Sequence, residues 1–496
     1  MTAGLVVDHC KKPLSREKSA VCTDSRKAQT GCIFIAIKGT KHDGHRHLNE
    51  LAGLGLSLIV TECDPPPEAN WAKTTPWIRV SSSRKAWSYL ASSAYDEPQT
   101  NLKLIAVTGT NGKTSTVWMV GELLRTSGIK CMTVGTLGAY IGDQHFPTGH
   151  TTPDPDILFS LLRLATDQGV SVVAMEASSH ALAQSKLAAL SFDAMAFTSF
   201  SRDHLDFHES LEDYWKAKWQ LFTELGKPGA LCAFSASLGT QLNLGTLSGR
   251  DVQLYGAKQH FPSVQNSKDS MVKLTTYEVT TSDFNGSQIN LSSPGSTVKS
   301  GFVPYFADHA LDNFTAAEIL ASRVSSRAIP SNVWRHLRAV PGRLEQVLIS
   351  GRPGVIVDYA HTPDALEKTL RVLKPLCRGK LHVVFGCGGN RDKGKRPIMG
   401  GIASTIADHV IITSDNPRHE DPAAIANDIC GGTHGATTVD VELDRELAIR
   451  QAIEGAKAAD LILIAGKGHE TEQIFADRVV PFDDRLIAKK ALLETK

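Results

Sequence analysis

The sequence predicts an α/β protein of three domains: a small N-terminal α/β domain, a central doubly wound domain with an antiparallel insertion, and a C-terminal Rossmann-like domain. Three observations carry that reading. The chain has 496 residues, too many for one ordinary core. Short apolar runs alternate with helical stretches over most of its length, as buried parallel strands and their crossovers do. The run Val107-Thr108-Gly109-Thr110-Asn111-Gly112-Lys113-Thr114-Ser115 follows one such apolar run and opens a helical one, the setting of a phosphate-binding loop.

Taken in order, residues 32–37 and 56–60 read as strands separated by polar turns such as Asp43-Gly44-His45, which makes 1–98 the small domain. Residues 98–101 read as a linker. The central domain, 99–337, opens with apolar runs at 103–107, 171–176 and 192–197, each suited to a strand buried on both faces. Between 253 and 303 the pattern becomes short, alternating and rich in Thr and Ser, with an Asn285-Gly286 turn, and this predicts an antiparallel insertion that packs rather than reacts. Further apolar runs at 355–359, 381–385, 409–413 and 461–465 define the last domain, 338–496. Each ends in a polar cluster. Ligands of open parallel sheets sit beyond the carboxyl ends of the strands, so those clusters predict a second site.

Composition narrows the partners. Fifty-three Lys and Arg against 52 Asp and Glu leave a formal charge of +1, which gives no electrostatic reason for binding nucleic acid or an anionic membrane. No apolar run approaches the ~20 residues needed to span a bilayer, and the first residues lack the apolar core of a signal peptide, so a cytoplasmic protein without membrane insertion is expected. The nine cysteines are scattered and never in C-x-x-C spacing; they read as free thiols rather than a zinc site or disulfide framework.

The loop supplies the first chemistry. Gly109 and Gly112 let the backbone curl so that its N–H groups face a phosphate, Lys113 can reach the β and γ phosphates, and the Thr114 hydroxyl can meet Mg²⁺ at the helix N-terminus, with Thr110, Asn111 and Ser115 completing the cradle. Strand 171–176 delivers Glu176 at its end, and the next delivers Ser201-Arg202-Asp203-His204-Leu205-Asp206-Phe207-His208. From those ends a carboxylate or imidazole reaches a metal and the γ-phosphate. Glu176 and His204 are the expected ligands, with Asp203 and His208 behind them; a hydrogen-bonding role for His204 and a helix-capping role for Glu176 stand beside that reading. On the helix predicted over 211–222, the three- and four-residue neighbours of Lys218 are Tyr214, Trp215, Leu221 and Phe222, so Lys218 points inward and Lys216 outward. A desolvated lysine spends more time as the free amine, the form that adds CO₂ to give a carbamate; a snorkelling lysine is the bland reading. In the last domain Arg391, Asp415-Asn416-Pro417-Arg418 and Gly466-Lys467-Gly468-His469-Glu470 leave neighbouring strands and put guanidinium, amide and carboxylate groups on one rim, which suits an amino acid with a charged far end, or a solvated ion-pair network.

Together with His150-Thr151-Thr152-Pro153-Asp154, Glu176-Ala177-Ser178-Ser179-His180 and Tyr359-Ala360-His361-Thr362-Pro363, these motifs resemble, in order and over nearly the whole chain from Thr23-Asp24-Ser25-Arg26 onward, the Mur ligases. The resemblance implies an N-terminal domain that holds UDP through Ser25, Arg26, Asp43, Gly44 and His45. It implies a muramoyl-dipeptide held by Thr151, Thr152, Ser178, Gln184 and Lys186, and ATP contacted by the loop, Asn313 and Arg343. It also implies Mg²⁺ on Thr114, Glu176, His204 and a carbamylated Lys218, and an amino acid on Arg391, Asp415, Asn416, Arg418, Gly466 and Glu470. The Asp-Asn-Pro-Arg form implies meso-diaminopimelate, whose distal carboxylate Arg418 can grip, joined to UDP-MurNAc-L-Ala-D-Glu through an acyl phosphate by a monomer whose domains close about Pro341-Gly342-Arg343. Three positions depart from the family pattern: Lys186 for arginine, His309-Ala310 for Phe-Asn, and Glu472 for tyrosine. They keep open a paralogous ligase acting on another carboxylate. A folate-type ligase and a P-loop ATPase that ligates nothing share parts of the same pattern.

Overall fold

The computed structural model describes residues 7–10, 20–39, 42–205, 207–261, 272–325, 327–435 and 437–495. They fall into two compact units, one formed by Met1–Thr280, Gln288–Val303 and Asp308–Leu337, the other by Thr281–Ser287, Pro304–Ala307 and Arg338–Lys496.

The first unit holds two sheets. The smaller orders its strands Val7–Cys10, Trp77–Val80, Leu58–Thr61, Ile33–Ile35 and Val21–Cys22. The first pairing is antiparallel and the rest are parallel. In the larger sheet seven parallel strands run in the order Lys273–Asp283, Asp251–Ala257, Gly226–Ser235, Phe192–Phe197, Lys103–Thr108, Val172–Glu176 and Cys131–Gly135. Strand Lys103–Thr108 is buried after its first residue, because Leu104 to Val107 meet apolar layers on both faces. It lies between Phe192–Phe197 and Val172–Glu176, so the phosphate loop is flanked on both sides by carboxyl ends.

Two expectations need refinement. The stretch from 253 to 303 is not a separate antiparallel insertion: strands Asp251–Ala257 and Lys273–Asp283 extend the central sheet in parallel. Only after Phe284-Asn285, a two-residue connection that parallel strands cannot use, does the chain reverse into Gly286–Ser292 and Lys299–Val303. Thr- and Ser-rich strands can continue a parallel sheet near its edge, where burial is incomplete. A second antiparallel stretch, Gly138–Ile141 with Gln144–Phe146, closes the other edge. Residues 98–101, expected as a linker, form a 3₁₀ turn with Pro98 buried, held by Gln99 Nε2 donating to Ser92 Oγ at 2.7 Å.

In the second unit a six-stranded sheet runs Glu345–Val347, Gly354–Asp358, Leu461–Ala465, Leu381–Phe385, His409–Ile412 and Thr438–Val441, parallel after its first pairing. Arg445, on the helix Arg445–Gly455, is fully buried and grips Asp484 with Nε and Nη2, both at 2.8 Å. The same guanidinium donates to the carbonyls of Ser414 at 3.3 Å and Ala465 at 3.0 Å, so it ties together the ends of two strands. Among the described residues no helix is long and apolar enough to cross a membrane.

Removing this guanidinium strands a buried carboxylate and two carbonyls. Arg445→Met is therefore expected to lower unfolding free energy by about 3–5 kcal/mol, with Arg445→Met/Asp484→Leu recovering most of the loss. Urea denaturation of the three proteins tests it, and equal loss in the single and double variants would count against the pair.

Candidate functional site

The phosphate loop is shaped by two glycines whose absent side chains leave room for partners. Gly109 has φ +151°, and a Cβ there would fall 2.1 Å from Thr198 Oγ1; Gly112 has φ +88°, and its Cβ would fall 2.4 Å from Asn313 Oδ1. Asn313 thus packs directly on the loop. The cradle is narrower than expected. Thr110 N donates to Ser199 O at 2.8 Å and Asn111 N to Ser199 Oγ at 3.0 Å, so those two amides brace the loop against the next strand. What remains for an anion is the start of helix Lys113–Thr126, whose first N–H groups have no carbonyl within the helix. Thr110 Oγ1 also accepts from Ser201 N at 3.0 Å, which staples the segment bearing His204 to the loop.

Glu176, 1% exposed, receives Thr136 N on Oε1 at 2.7 Å and Thr136 Oγ1 on Oε2 at 3.3 Å. Thr136 Oγ1 lies 3.0 Å from Thr151 Oγ1, while Thr152 Oγ1 donates to Glu176 O at 2.8 Å and lies 3.1 Å from Ser178 Oγ. Thr151, Thr152, Ser178 and Glu176 therefore form one hydrogen-bonded chain. Gly135 permits it, because a Cβ at that position would sit 2.2 Å from Glu176 Oε1.

Lys218, on the helix Leu211–Glu224, is 1% exposed as its neighbours predict, whereas Lys216 is exposed and paired with Glu212. Lys218 Nζ donates to Gly109 O at 2.7 Å and lies 4.5 Å from the centre of the Tyr214 ring. Lys113 Nζ donates to the same carbonyl at 2.8 Å and to Thr110 O at 2.9 Å. Burial, reinforced by the charge of Lys113, pushes the Lys218 pKa well below the ordinary lysine value. His204 has φ +53° and is more exposed, its ring 4.8 Å from that of His180 and 5.9 Å from that of Tyr214. Asp206 lies outside the described residues.

Among the described residues, no three His, Cys, Asp or Glu side chains converge to hold a metal by themselves. The donors at hand are the Thr114 hydroxyl, 8% exposed, and the Glu176 carboxylate. That set suits Mg²⁺, which takes one or two protein oxygens with phosphates and water, and does not suit an all-protein cage.

In the N-terminal segment Asp43 Oδ1 accepts from His45 N at 3.0 Å and pairs with His45 Nδ1 at 2.7 Å, while Glu62 N donates to His45 Nε2 at 3.2 Å. His45 is thus a brace with its proton on Nδ1. Gly44 is required because its Cβ would stand 3.0 Å from Ile37 N. Ser25 opens a 3₁₀ turn capped by Asp24, and Arg26 extends from it, exposed and paired with Asp24 at 2.8 Å. A cleft of about 400 Å³ in this unit is lined by Thr23, Arg84, Trp87, Gln184 and Phe207 among others. Of the residues expected to hold the UDP-linked substrate only Gln184 lines it. Trp87 Nε1 is buried there without a hydrogen-bond partner among the described residues, a donor that a bound acceptor would satisfy. Lys186 pairs with Asp154 at 2.6 Å, so the lysine that departs from the family pattern neutralises a residue of the His150–Asp154 motif.

In the second unit Asn416, Arg418, Gly466 and Glu470 do come together. Asn416 Nδ2 donates to Glu470 Oε2 at 2.8 Å, and Arg418 Nη1 donates to Gly389 O at 3.0 Å and to Asn416 O at 3.4 Å. A Cβ on Gly388 would lie 3.0 Å from Arg418 Nη1 and 3.6 Å from Arg391 Cγ, which brings Arg391, otherwise exposed, to the same place. Asp415 turns inward: its Oδ1 accepts from Asn416 N at 2.7 Å, and its Oδ2 would be 2.7 Å from a Cβ on Gly466. Arg343 stands 4.5 Å over the Tyr359 ring, which in turn lies 5.1 Å from that of His469. Sequence reasoning missed Thr136, Ser199, Lys467 and Arg445. Thr136 directly follows a buried strand and Ser199 stands two residues past another, and that position is the signal that could have found them.

Residues 107–321 match the Mur ligase middle domain, and residues 342–468 match the family described as Mur ligase, glutamate ligase domain. Over 478 residues the chain is 38% identical to the UDP-N-acetylmuramoyl-L-alanyl-D-glutamate–2,6-diaminopimelate ligase of Coxiella burnetii, covering 95% of each. The chain belongs to the Mur ligases. As such it is an ATP-dependent, ADP-forming ligase that joins an acid to an amino acid. The enzyme of the same name from Bacillus licheniformis is 37% identical over 479 residues, 95% of this chain and 94% of that one. A solved diaminopimelate ligase structure superposes with TM-score 0.65 at 30% identity over 95% and 94% of the two chains. The folylpolyglutamate synthase of Thermotoga maritima, at 15% identity and TM-score 0.58 over 83% and 94%, shares the fold alone.

Two outcomes follow from this geometry. Gly135→Ala displaces the Glu176 carboxylate, and turnover measured as phosphate release should fall about 10-fold or more while stability drops by only about 1–3 kcal/mol; wild-type turnover would show that the position of Glu176 is immaterial. Because the folded pKa of Lys218 lies below the unfolded value near 10.5, the unfolded chain binds the extra proton between the two, and stability rises with pH through that window. Lys218→Met in carbonate-free buffer should therefore exceed wild type in stability at pH 7, with the gap closing towards pH 10 in urea titrations. A gap that does not change with pH rejects this account.

Proposed function

We propose that this ligase adds meso-diaminopimelate to UDP-N-acetylmuramoyl-L-alanyl-D-glutamate, as a cytoplasmic monomer making peptidoglycan precursors. The observation that carries the reading is the rim of Asn416, Arg418 and Glu470 in a chain that resembles diaminopimelate ligases along nearly its full length. A guanidinium beside an amide and a carboxylate matches an amino acid whose far end bears both a carboxylate and an ammonium; lysine would offer Arg418 no carboxylate. The segment 1–98 and the cleft bordered by Arg84, Trp87 and Gln184 are assigned to the UDP-linked substrate.

In this reading the D-glutamyl γ-carboxylate attacks the γ-phosphorus of ATP, giving an acyl phosphate and ADP, and the amine of diaminopimelate then attacks the acyl carbon and displaces phosphate. Lys113 exchanges the carbonyls of Gly109 and Thr110 for phosphate oxygens, and the helix N-terminus adds its N–H groups. Thr114 and Glu176 would hold Mg²⁺, which would supply neutralisation of phosphate charge there. His204 borders the same site from the stapled segment. The Lys218 ammonium gives one proton to solvent, and the free amine then adds CO₂ and releases a second, so a buried cation is replaced by an anionic carbamate oxygen donor. Asn313, packed on Gly112, and Arg343 are assigned to the nucleotide.

Phosphate release should require both the UDP-linked dipeptide and an amino acid, and should be about 100-fold or more faster with meso-diaminopimelate than with lysine or ornithine at equal low concentration. Arg418→Ala should close that gap by slowing only the diaminopimelate reaction. Equal wild-type rates with all three amino acids would falsify the specificity assignment.

A further inference from the structure

Lys467 is wholly buried between two glycines of left-handed backbone, Gly466 with φ +113° and Gly468 with φ +54°. Its ammonium has three hydrogens and three acceptors: Asn416 Oδ1 at 3.1 Å, Glu470 Oε2 at 3.0 Å and the carbonyl of Glu472 at 2.6 Å. An ammonium only donates, so it fixes which way the Asn416 amide faces. Asn416 Oδ1 must point at Lys467, and it also accepts from Ile474 N at 3.0 Å, which fills both its lone pairs. Asn416 Nδ2 gives one hydrogen to Glu470 Oε2 and keeps the other. Glu470 in turn has Oε2 occupied by two donors and offers Oε1.

We propose that Lys467 is a positioning residue that sets the polarity of the amino-acid rim, making Asn416 a donor and Glu470 an acceptor, so that a carboxylate and an ammonium of the incoming amino acid can each land in only one orientation. This rests on the assignment of the rim to the amino acid. Without the ammonium the Asn416 oxygen is held by Ile474 N alone, and the Glu470 carboxylate loses the charge that holds it, so the donor and acceptor of the rim are no longer fixed against each other. The departure at Glu472 is immaterial here, because that residue contributes its carbonyl.

The test measures KM and kcat for full-length wild type, Lys467→Met and Arg418→Ala, with ATP and the UDP-linked dipeptide saturating and meso-diaminopimelate or lysine varied. Lys467→Met should raise KM for diaminopimelate about 10-fold or more, leave KM for ATP within about twofold, and shrink the preference over lysine. A purely structural role would lower the active fraction and hence kcat, with KM unchanged. If Lys467→Met does not fold, Asn416→Asp decides: it keeps the oxygen that faces Lys467 and Ile474 but converts the donor into an acceptor, and in the folded protein its KM for diaminopimelate should rise by a similar factor. Wild-type KM in a folded Lys467→Met, or in Asn416→Asp if the first does not fold, overturns the proposal. If Arg418→Ala also leaves KM unchanged, the rim assignment itself fails; if Arg418→Ala alone raises it, only the role of Lys467 does.

Discussion

Both large sheets are built from parallel strands buried on both faces, and that burial is the constraint on which the rest of the molecule depends. Leu104 to Val107 and Val172 to Met175 in one sheet, and Val383 to Phe385 and Ile462 to Ala465 in the other, are 0–2% exposed, so no polar side chain can be accommodated along them. Polar groups of the candidate sites enter where the strands end. Gly109, Thr136, Glu176 and Thr198 in one unit, and Tyr359, Gly386, Asp415 and Gly466 in the other, all stand at or within three residues of a strand's end. Crowding at those ends explains the glycines. A Cβ on Gly386 would lie 2.1 Å from Thr413 O, and one on Gly389 would lie 1.8 Å from Pro417 O.

Charge is handled differently in the two units. At the phosphate loop two lysines share the Gly109 carbonyl; burial and the neighbouring like charge lower the pKa of Lys218 well below the ordinary lysine value. In the other unit two buried cations are closely matched: Arg445 meets Asp484 and two carbonyls, and Lys467 meets three acceptors. The first is poised to exchange partners when an anion arrives. The second is finished before any ligand binds, and works by holding neighbouring groups in one orientation.

Much of this was legible in the sequence because it is local. The phosphate loop, the strands delivering Glu176 and His204, and the inward turn of Lys218 follow from runs of residues and helical spacing, and strands Phe192–Phe197, Leu381–Phe385 and Leu461–Ala465 fall where the apolar runs put them. What escaped was non-local. Thr136 meets Glu176 forty positions away, Ser199 meets Asn111 eighty-eight away, and Arg445 meets Asp484 thirty-nine away. Nothing in the pattern around Arg445 separates a buried fork from an exposed helix charge. Strand Lys273–Asp283, third from the edge of its sheet, was misread because partial burial gives parallel and antiparallel strands the same alternation.

The Gly135–Glu176 contact also bears on how such sequences drift. The carboxylate occupies the volume that any side chain at 135 would need, so the two positions are epistatic: neither can change freely while the other is held. The same holds for Gly112 with Asn313, whose side-chain oxygen takes the place of a Cβ at 112. Recombination between distant members of the family at a point between 135 and 176 would pair partners that had not diverged together, whereas a breakpoint beyond both would carry the lock across intact.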